Sequence, residues 1–372
     1  MSSLEIPDPG YLSENLAAGG VPDSAQGGAP REAHRIRRVS PQEDAARDSE
    51  SMFRMDAKGL GQSLGSKSPL IVIVGPTAVG KTEVSIQLAE RLGGEIVSAD
   101  SRLFYRGMDI GTAKPTFSER LRIPHHLIDV ANPNEILSLA VFQRLAADAI
   151  SGIHRRGKLP FLVGGTGQYI HAVTHGWVPP ATQPDAPLRA VLEGLAKSRG
   201  KDWLHQRLAL LDPSAAQAID PRNLRRTVRA LEVIFSTGRR FSDQRGQAES
   251  PYRLLMIGLI RPRPELYARV DARIETMFAG GLLDEVRGLL ERGYSPSLPA
   301  MSAIGYRESV LVLGGKMSLD EAKVQMRRLT RIFVRRQANW FKAQDAQIHW
   351  FEAVENKLDE IEKEIHAFLE ES

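Results

Sequence analysis

The chain reads as an α/β protein, a doubly wound parallel sheet interrupted by a helical insertion and completed by a helical C-terminal part. Three observations lead there. Short apolar runs alternate with longer helical stretches from Leu70 onward, which is the rhythm of βαβ units. A glycine-rich loop lies directly behind the first run, and between Trp177 and Pro251 the strand-like runs stop.

Taken in order, residues 1–66 are rich in Gly, Ser, Pro, Ala and charge without a sustained period, so they bury too little to offset the entropy of ordering and are expected to form a disordered tail. Met52 and Met55 offer a later start of translation, which would leave much of that tail outside the natural protein. Residues 67–176 should form the first part of the core. Its strands are expected at Leu70–Val74, Glu95–Ala99, His126–Val130 and Leu159–Val163. Residues 177–250 open on Pro179, Pro180, Pro184 and Pro187 and continue in helical periods at Trp203–Leu211 and Leu224–Phe235, a helical insertion rising from the core. Residues 251–351 return to the core through a strand at Leu254–Leu259 and then read as basic helices. Residues 352–372 read as an acidic helix.

With 372 residues, 42% of them hydrophobic and 25% charged, the chain can bury a large core. No segment has the length or apolarity of a membrane span, and no secretory leader is visible. The absence of cysteine excludes disulfides and thiolate zinc sites and fits a reducing cytoplasm. Charge is uneven: residues 67–351 hold 40 Lys and Arg against 27 Asp and Glu, a net +13 on a chain of net +4. A cationic body between acidic ends suits a polyanion such as nucleic acid, and on charge alone it equally suits a solvated surface.

Gly75-Pro76-Thr77-Ala78-Val79-Gly80-Lys81-Thr82 is a complete G-x-x-x-x-G-K-T between a strand and a helix, the setting of a phosphate-binding P-loop. Its glycines let the backbone N–H groups and the helix N-terminus converge on an anion. Lys81 adds a point charge, and Thr82 an oxygen for Mg2+. A diphosphate or triphosphate is the expected ligand. In open α/β sheets ligands sit at the carboxyl ends of the strands, which singles out Asp100 in Ser98-Ala99-Asp100-Ser101 and Thr166 in Gly164-Gly165-Thr166. Asp100 could serve as a base, a helix N-cap or a magnesium ligand.

Further segments complete a pattern. They are Asp100-Ser101-Arg102-Leu103-Phe104-Tyr105, Arg106-Gly107-Met108-Asp109-Ile110-Gly111-Thr112-Ala113-Lys114-Pro115, Pro124-His125-His126-Leu127-Ile128-Asp129, Arg229-Ala230-Leu231-Glu232-Val233, Ile304-Gly305-Tyr306-Arg307, and Thr330-Arg331 through Gln337 to Trp340-Phe341. In this order and spacing, over residues 68–351, the chain resembles the tRNA dimethylallyltransferases. Leu103, often glutamine in that family, and Ser302, arginine in some members, depart from it. The resemblance implies a P-loop NTPase-like fold and transfer of a dimethylallyl group from its diphosphate to the exocyclic amine of the adenosine just 3′ of a tRNA anticodon. It also implies a Mg2+ cofactor, no membrane, a cytoplasmic monomer, and a P-loop used for a leaving diphosphate.

For residues, the resemblance implies a catalytic set of Asp100, Lys81, Thr77, Thr166 and Arg273, with Arg273 joining residues 75–82 on the diphosphate. For tRNA it implies Asp100, Ser101, Arg102, Leu103, Thr166, Arg189, Arg225, Arg226, Thr227, Val228, Arg229, Gly305, Tyr306 and Arg307. Residues 323–342 carry seven Lys and Arg and no acid. A helix there would gather Arg328, Arg331 and Arg335 on an RNA-facing side and turn Leu329, Ile332, Phe333 and Trp340 inward. Two other readings stay open at this point. In a small-molecule kinase, Arg225 and Arg229 would belong to a lid over ATP. In a nucleic-acid-binding NTPase without group transfer, Leu127-Ile128-Asp129 would be the faint remnant of a magnesium-binding strand.

Overall fold

The computed structural model describes residues 67–371, apart from 179, 181, 183, 245, 248, 355 and 356. The expected disordered tail and the alternative start sites lie outside the described residues.

The first strand, β1 (Pro69–Val74), is an unbroken apolar run, and every residue from Leu70 onward is fully buried. A parallel strand covered on both faces requires such a run. The P-loop and α1 (Lys81–Arg91) follow, then β2 (Gly94–Ser98), α2 (Phe117–Arg122), β3 (His125–His126), α3 (Leu139–Arg155), β4 (Leu159–Gly164) and α4 (Gly167–Thr174). The insertion holds β5 (Trp177–Val178), α5 (Ala186–Arg199), α6 (Lys201–Leu211), α7 (Pro213–Ala218), α8 (Leu224–Thr237) and β6 (Gly246–Gln247). Beyond it lie β7 (Arg253–Ile260), α9 (Arg263–Ala279), α10 (Leu282–Glu291), α11 (Tyr306–Leu313), α12 (Leu319–Gln337), β8 (Ile348–Glu352) and α13 (Leu358–Glu370).

Six strands form one parallel sheet in the order β3-β2-β4-β1-β7-β8. Residues of β1 face β4 and β7 in register, Ile71 beside both Phe161 and Leu255. The loop after β1 therefore opens at mid-sheet, where crossovers leave to either side, and a ligand crevice forms there. One face of the sheet is covered by α1 and α13, with Leu266 of α9 and Val334 of α12 joining them. The other face is covered by α3 and α4. The insertion has its own core around Leu204, Leu208, Val228 and Leu231. Its two ends are tied by the antiparallel pair β5 and β6, Trp177 opposite Gln247.

Three expectations are corrected here. The strand expected over His126–Val130 ends at His126, because Leu127 and Asp129 adopt φ of 62° and 57°, and left-handed residues cannot continue a strand. The C-terminal part is not wholly helical, since Ile348–Glu352 pairs with β7 at the sheet edge. The insertion is not free of strands, since two residues at each end close its neck.

Candidate active site

The P-loop is shaped by close packing as much as by glycine flexibility. A Cβ on Gly75 would lie 2.7 Å from the carbonyl oxygen of Leu259 in β7, and φ there is 151°. Gly80, at φ 113°, begins α1 with no side-chain cap, leaving its first N–H groups directed at the loop's concave side. The outer rim is clipped by two arginines. Arg261 Nε donates to Val79 O (2.8 Å) and Arg269 Nε to Ala78 O (2.9 Å).

Lys81 Nζ donates to Gly75 O (3.0 Å) and Pro76 O (2.9 Å), which holds the ammonium under the loop. Burial pushes Lys81 down to about 8; Asp100 opposes that shift and Arg273 adds to it. Burial likewise lowers Arg273, again against the pull of Asp100. Two cations and one carboxylate, separated by as many as 192 positions in the sequence, thus share one low-dielectric cleft. Arg273 is held in it by donating to Thr112 O (3.3 Å). The cleft walls include Lys81, Thr82, Ser98, Asp100, Leu103, His125 and Gly164, so the end of β2 and the end of β4 meet the P-loop.

Asp100 does not cap a helix. Its Oδ1 accepts from Arg102 N (3.0 Å) in a tight turn, and residues 101–107 continue mostly as turns. Its second carboxylate oxygen is thereby left for chemistry. Thr166 is the N-cap residue of α4 but makes no side-chain capping bond, so its hydroxyl is also left over. Tyr169, one turn into α4, stacks on Phe142 (ring centroids 4.4 Å apart) and is pushed up to about 12 by burial. Arg102, Asp100 and Arg225 all act on its hydroxyl.

Sequence reasoning missed the scaffolding behind these groups. Lys114 has only 1% of its side chain exposed and donates to Tyr105 O (2.8 Å), Asp129 (2.6 Å) and Asp109. Glu285 accepts the N–H groups of Asp109 (2.8 Å), Ile110 (2.8 Å) and Gly111 (3.3 Å) as well as the Tyr306 hydroxyl. Together they hold the 105–114 loop whose Thr112 carbonyl seats Arg273. Asp129 spends its carboxylate on Lys114 and on Arg120 (2.9 Å), so it is not a magnesium ligand of the kind a hydrolytic NTPase needs. The signal for Lys114 was a lysine in a loop with two glycines, Gly107 and Gly111, and one acid, Asp109; Glu285 carried none, because its partners are mainly backbone groups.

The residues expected to meet RNA divide by exposure. Arg225, Arg226, Arg307, Arg328 and Arg335 are exposed, while Ser101, Arg102 and Leu103 are half-buried beside Asp100, with Leu103 in the cleft wall. Arg189 and Arg229 are half-buried on the fully buried carboxylate of Glu232, at 2.8 and 2.6 Å. Four expectations change. Thr227 donates to Asn223 O, Val228 belongs to the insertion core, Gly305 is buried, and Tyr306 is fully buried with its hydroxyl on Glu285. Thr227, Val228 and Tyr306 thus have no exposed side chain, and Gly305 has none to offer. Arg331 is not free either, for it pairs with Asp271 at 2.7 Å. The inward face of α12 is Ala322, Met326, Val334 and Gln337, with Phe333 turned out at 40% exposure. The expected apolar face is thus rotated, because α12 packs on α9 and α11 along the stripe that Ala322 and Met326 set.

A model of the IPP transferase family matches residues 103–344. A tRNA dimethylallyltransferase of Roseiflexus sp. (strain RS-1) is 56% identical over 274 residues, covering 74% of this chain and 90% of that protein. The chain belongs to the IPP transferase family. Another relative, the tRNA dimethylallyltransferase of Thermomicrobium roseum, is 47% identical over 78% of this chain and 88% of its own length. Among solved structures, the full-length tRNA isopentenylpyrophosphate transferase of Bacillus halodurans aligns at 45% identity and a TM-score of 0.62, over 82% of this chain and 98% of that one. A eukaryotic dimethylallyltransferase acting on tRNA aligns at 28% identity and a TM-score of 0.66, over 81% and 77%. The P-loop NTPase-like α/β fold is thus the family's, and it is built here around a cleft lined by Lys81 and Asp100. No described helix is long and apolar enough to cross a membrane.

Proposed function

We propose that this IPP transferase family member moves a dimethylallyl group from dimethylallyl diphosphate to the exocyclic amine of the adenosine 3′-adjacent to a tRNA anticodon, releasing diphosphate. The observation that carries the reading is that Lys81 and Asp100 line one cleft, with Arg273, seated on Thr112 O, near enough for its charge to act on Lys81 and to feel Asp100. Two cations and one carboxylate suit a reaction that places negative charge at one end and releases a proton at the other. As the allylic C–O bond breaks, its electron pair goes to the diphosphate oxygen. The P-loop amides, Lys81 and Arg273 stabilise that charge where it develops. The amine lone pair forms the C–N bond, and the amine proton passes to Asp100, a useful step because conjugation with the ring makes adenine's amine a weak nucleophile.

Among the described residues no three acidic or imidazole groups cluster as a metal cage. Mg2+ keeps several waters and is commonly shared between one or two protein oxygens and a diphosphate. Thr82, exposed at the cleft beside Asp100, would supply the protein oxygen. Bound there, the ion would neutralise diphosphate charge.

A base has to leave its stack to enter the cleft, and a single-stranded loop permits this at a cost of about a few kcal/mol. The anticodon stem-loop would be gripped by Arg225, Arg226, Arg307, Arg328 and Arg335, with Arg189 and Arg229 held in place by Glu232. The relatives' names support tRNA as partner. A reducing cytoplasm fits the cysteine-free sequence, and the protein would work there as a monomer. The test is to incubate the protein with unmodified tRNA, Mg2+ and either labelled dimethylallyl diphosphate or γ-labelled ATP. Label from the allylic diphosphate should appear in the RNA. Transfer or hydrolysis of the ATP phosphate instead would replace this reading with the kinase or the NTPase.

A further inference from the structure

Gln337, the last residue of α12, lies between the two loops that flank the cleft. It is 5% exposed. Its Oε1 accepts from Thr77 N at 2.8 Å and from Thr77 Oγ1 at 3.3 Å, and its Nε2 donates to Gly165 O at 3.1 Å. One side-chain amide, buried and with both its ends bonded, thus joins the P-loop to the Gly164-Gly165-Thr166 turn across 260 and 172 positions of sequence. The fit is close. A Cβ on Gly165 would fall 2.3 Å from Gln337 Nε2, and one on Gly167 would fall 2.2 Å from the Trp340 ring. The end of α12 is therefore seated on the start of α4 by two independent contacts.

This arrangement has two chemical consequences. The Thr77 amide, a P-loop N–H, is occupied by Gln337 and withdrawn from the set that can face an anion. The Thr77 hydroxyl proton is turned toward Gln337, so toward a substrate that oxygen can only accept. Resting on the transfer reaction proposed above, we propose that Gln337 is a positioning residue. It fixes the Thr77 hydroxyl and the spacing of the two loops, and so makes the transfer step depend on how the arginine-bearing helix α12 is seated. Residues 328 and 335 of α12 are exposed cations, and a helix that meets RNA along its length and ends inside the site carries the docking geometry to the reacting groups.

The test uses the full chain, dimethylallyl diphosphate and an anticodon-arm minihelix. Gln337→Met preserves length and removes both polar ends. It should lower the single-turnover rate at saturating substrates by about tenfold to a hundredfold, the order expected of a small misplacement, with RNA affinity within about twofold. Gln337→Glu keeps the acceptor for Thr77 and loses the donor to Gly165 O, so it should retain more activity than the Met variant. The decisive comparison is the double variant Gln337→Met with Thr77→Val. If Gln337 acts through Thr77, the pair should be no slower than the slower single variant. Rate losses that multiply, or a Gln337→Met enzyme turning over at the wild-type rate, would overturn the proposal. If Gln337→Met does not fold, judged by its melting transition, Gln337→Leu, which also removes both polar ends, completes the same cycle with Thr77→Val: non-multiplying losses support the proposal and multiplying losses overturn it. Wild-type protein that transfers no allyl group would instead refute the proposed function, a result distinct from any of these.

Discussion

Lys81 should give the reaction an alkaline limb that a lysine of ordinary pKa would not show. Burial pulls its ammonium from the ordinary 10.5 to about 8, with Asp100 opposing and Arg273 assisting. The charged form is the one that stabilises a departing diphosphate, so activity is expected below the shifted value and lost above it. The pH dependence of kcat/KM reports groups of the free enzyme. Between pH 7 and pH 9 the protonated fraction then falls from about nine-tenths to about one-tenth, an approximately tenfold loss of kcat/KM for the allylic diphosphate. Once the diphosphate is bound, its negative charge favours the ammonium, so the limb in kcat should lie at higher pH. Arg273 is also lowered by burial, but a guanidinium starts too high to titrate here. The assay is initial-rate transfer into a minihelix from about pH 6.5 to about pH 10, in wild type and in Lys81→Arg. The arginine variant should be slower and should lack the limb. A limb near pH 8 that persists in Lys81→Arg, or a flat wild-type profile, would refute the assignment of the limb to Lys81. The same shift has a sign for stability: this group's contribution is complete above 10.5 and is lost as pH falls through about 8.

Asp100→Asn keeps an oxygen for the Arg102 amide and so keeps the turn; single-turnover transfer should fall by about two to four orders of magnitude with tRNA affinity retained, and near-normal transfer would remove Asp100 as the base. Arg328→Ala and Arg335→Ala should each weaken RNA binding whatever its sequence and reduce the salt slope by about one contact. Arg331→Ala should change the slope less, because its guanidinium is engaged with Asp271, and equal slopes for all three variants and wild type would make α12 a merely solvated face. Glu285→Ala leaves three loop amides and the Tyr306 hydroxyl without their acceptor. That should cost about 3 kcal/mol or more in unfolding free energy, read by denaturant titration, and should slow transfer by loosening the seat of Arg273.

The amino-acid order alone determined what is local and chemical. The P-loop was legible because a strand, eight residues of fixed pattern and a helix are contiguous, and backbone conformation is set at that range. The central strands were legible because a parallel strand buried on both faces admits almost only apolar residues, as Leu70–Val74 and Leu254–Leu259 illustrate. The edge strand Ile348–Glu352 was not, because half its surface is wet and its pattern resembles a helix turn. Asp100 and Arg273 could be nominated by strand-end position and by resemblance. That they share one cleft with Lys81, and that burial there lowers the pKa of both cations, is a property of the packed fold, since desolvation depends on every neighbour. The same holds for the two linchpins. Glu285 and Gln337 bind mainly backbone groups, and a backbone N–H or C=O has no sequence identity to be read. Tyr306 and Val228 stand in segments that the resemblance assigned to tRNA, and only packing showed them turned inward. Chemical identity was written along the chain, and proximity came from its folding.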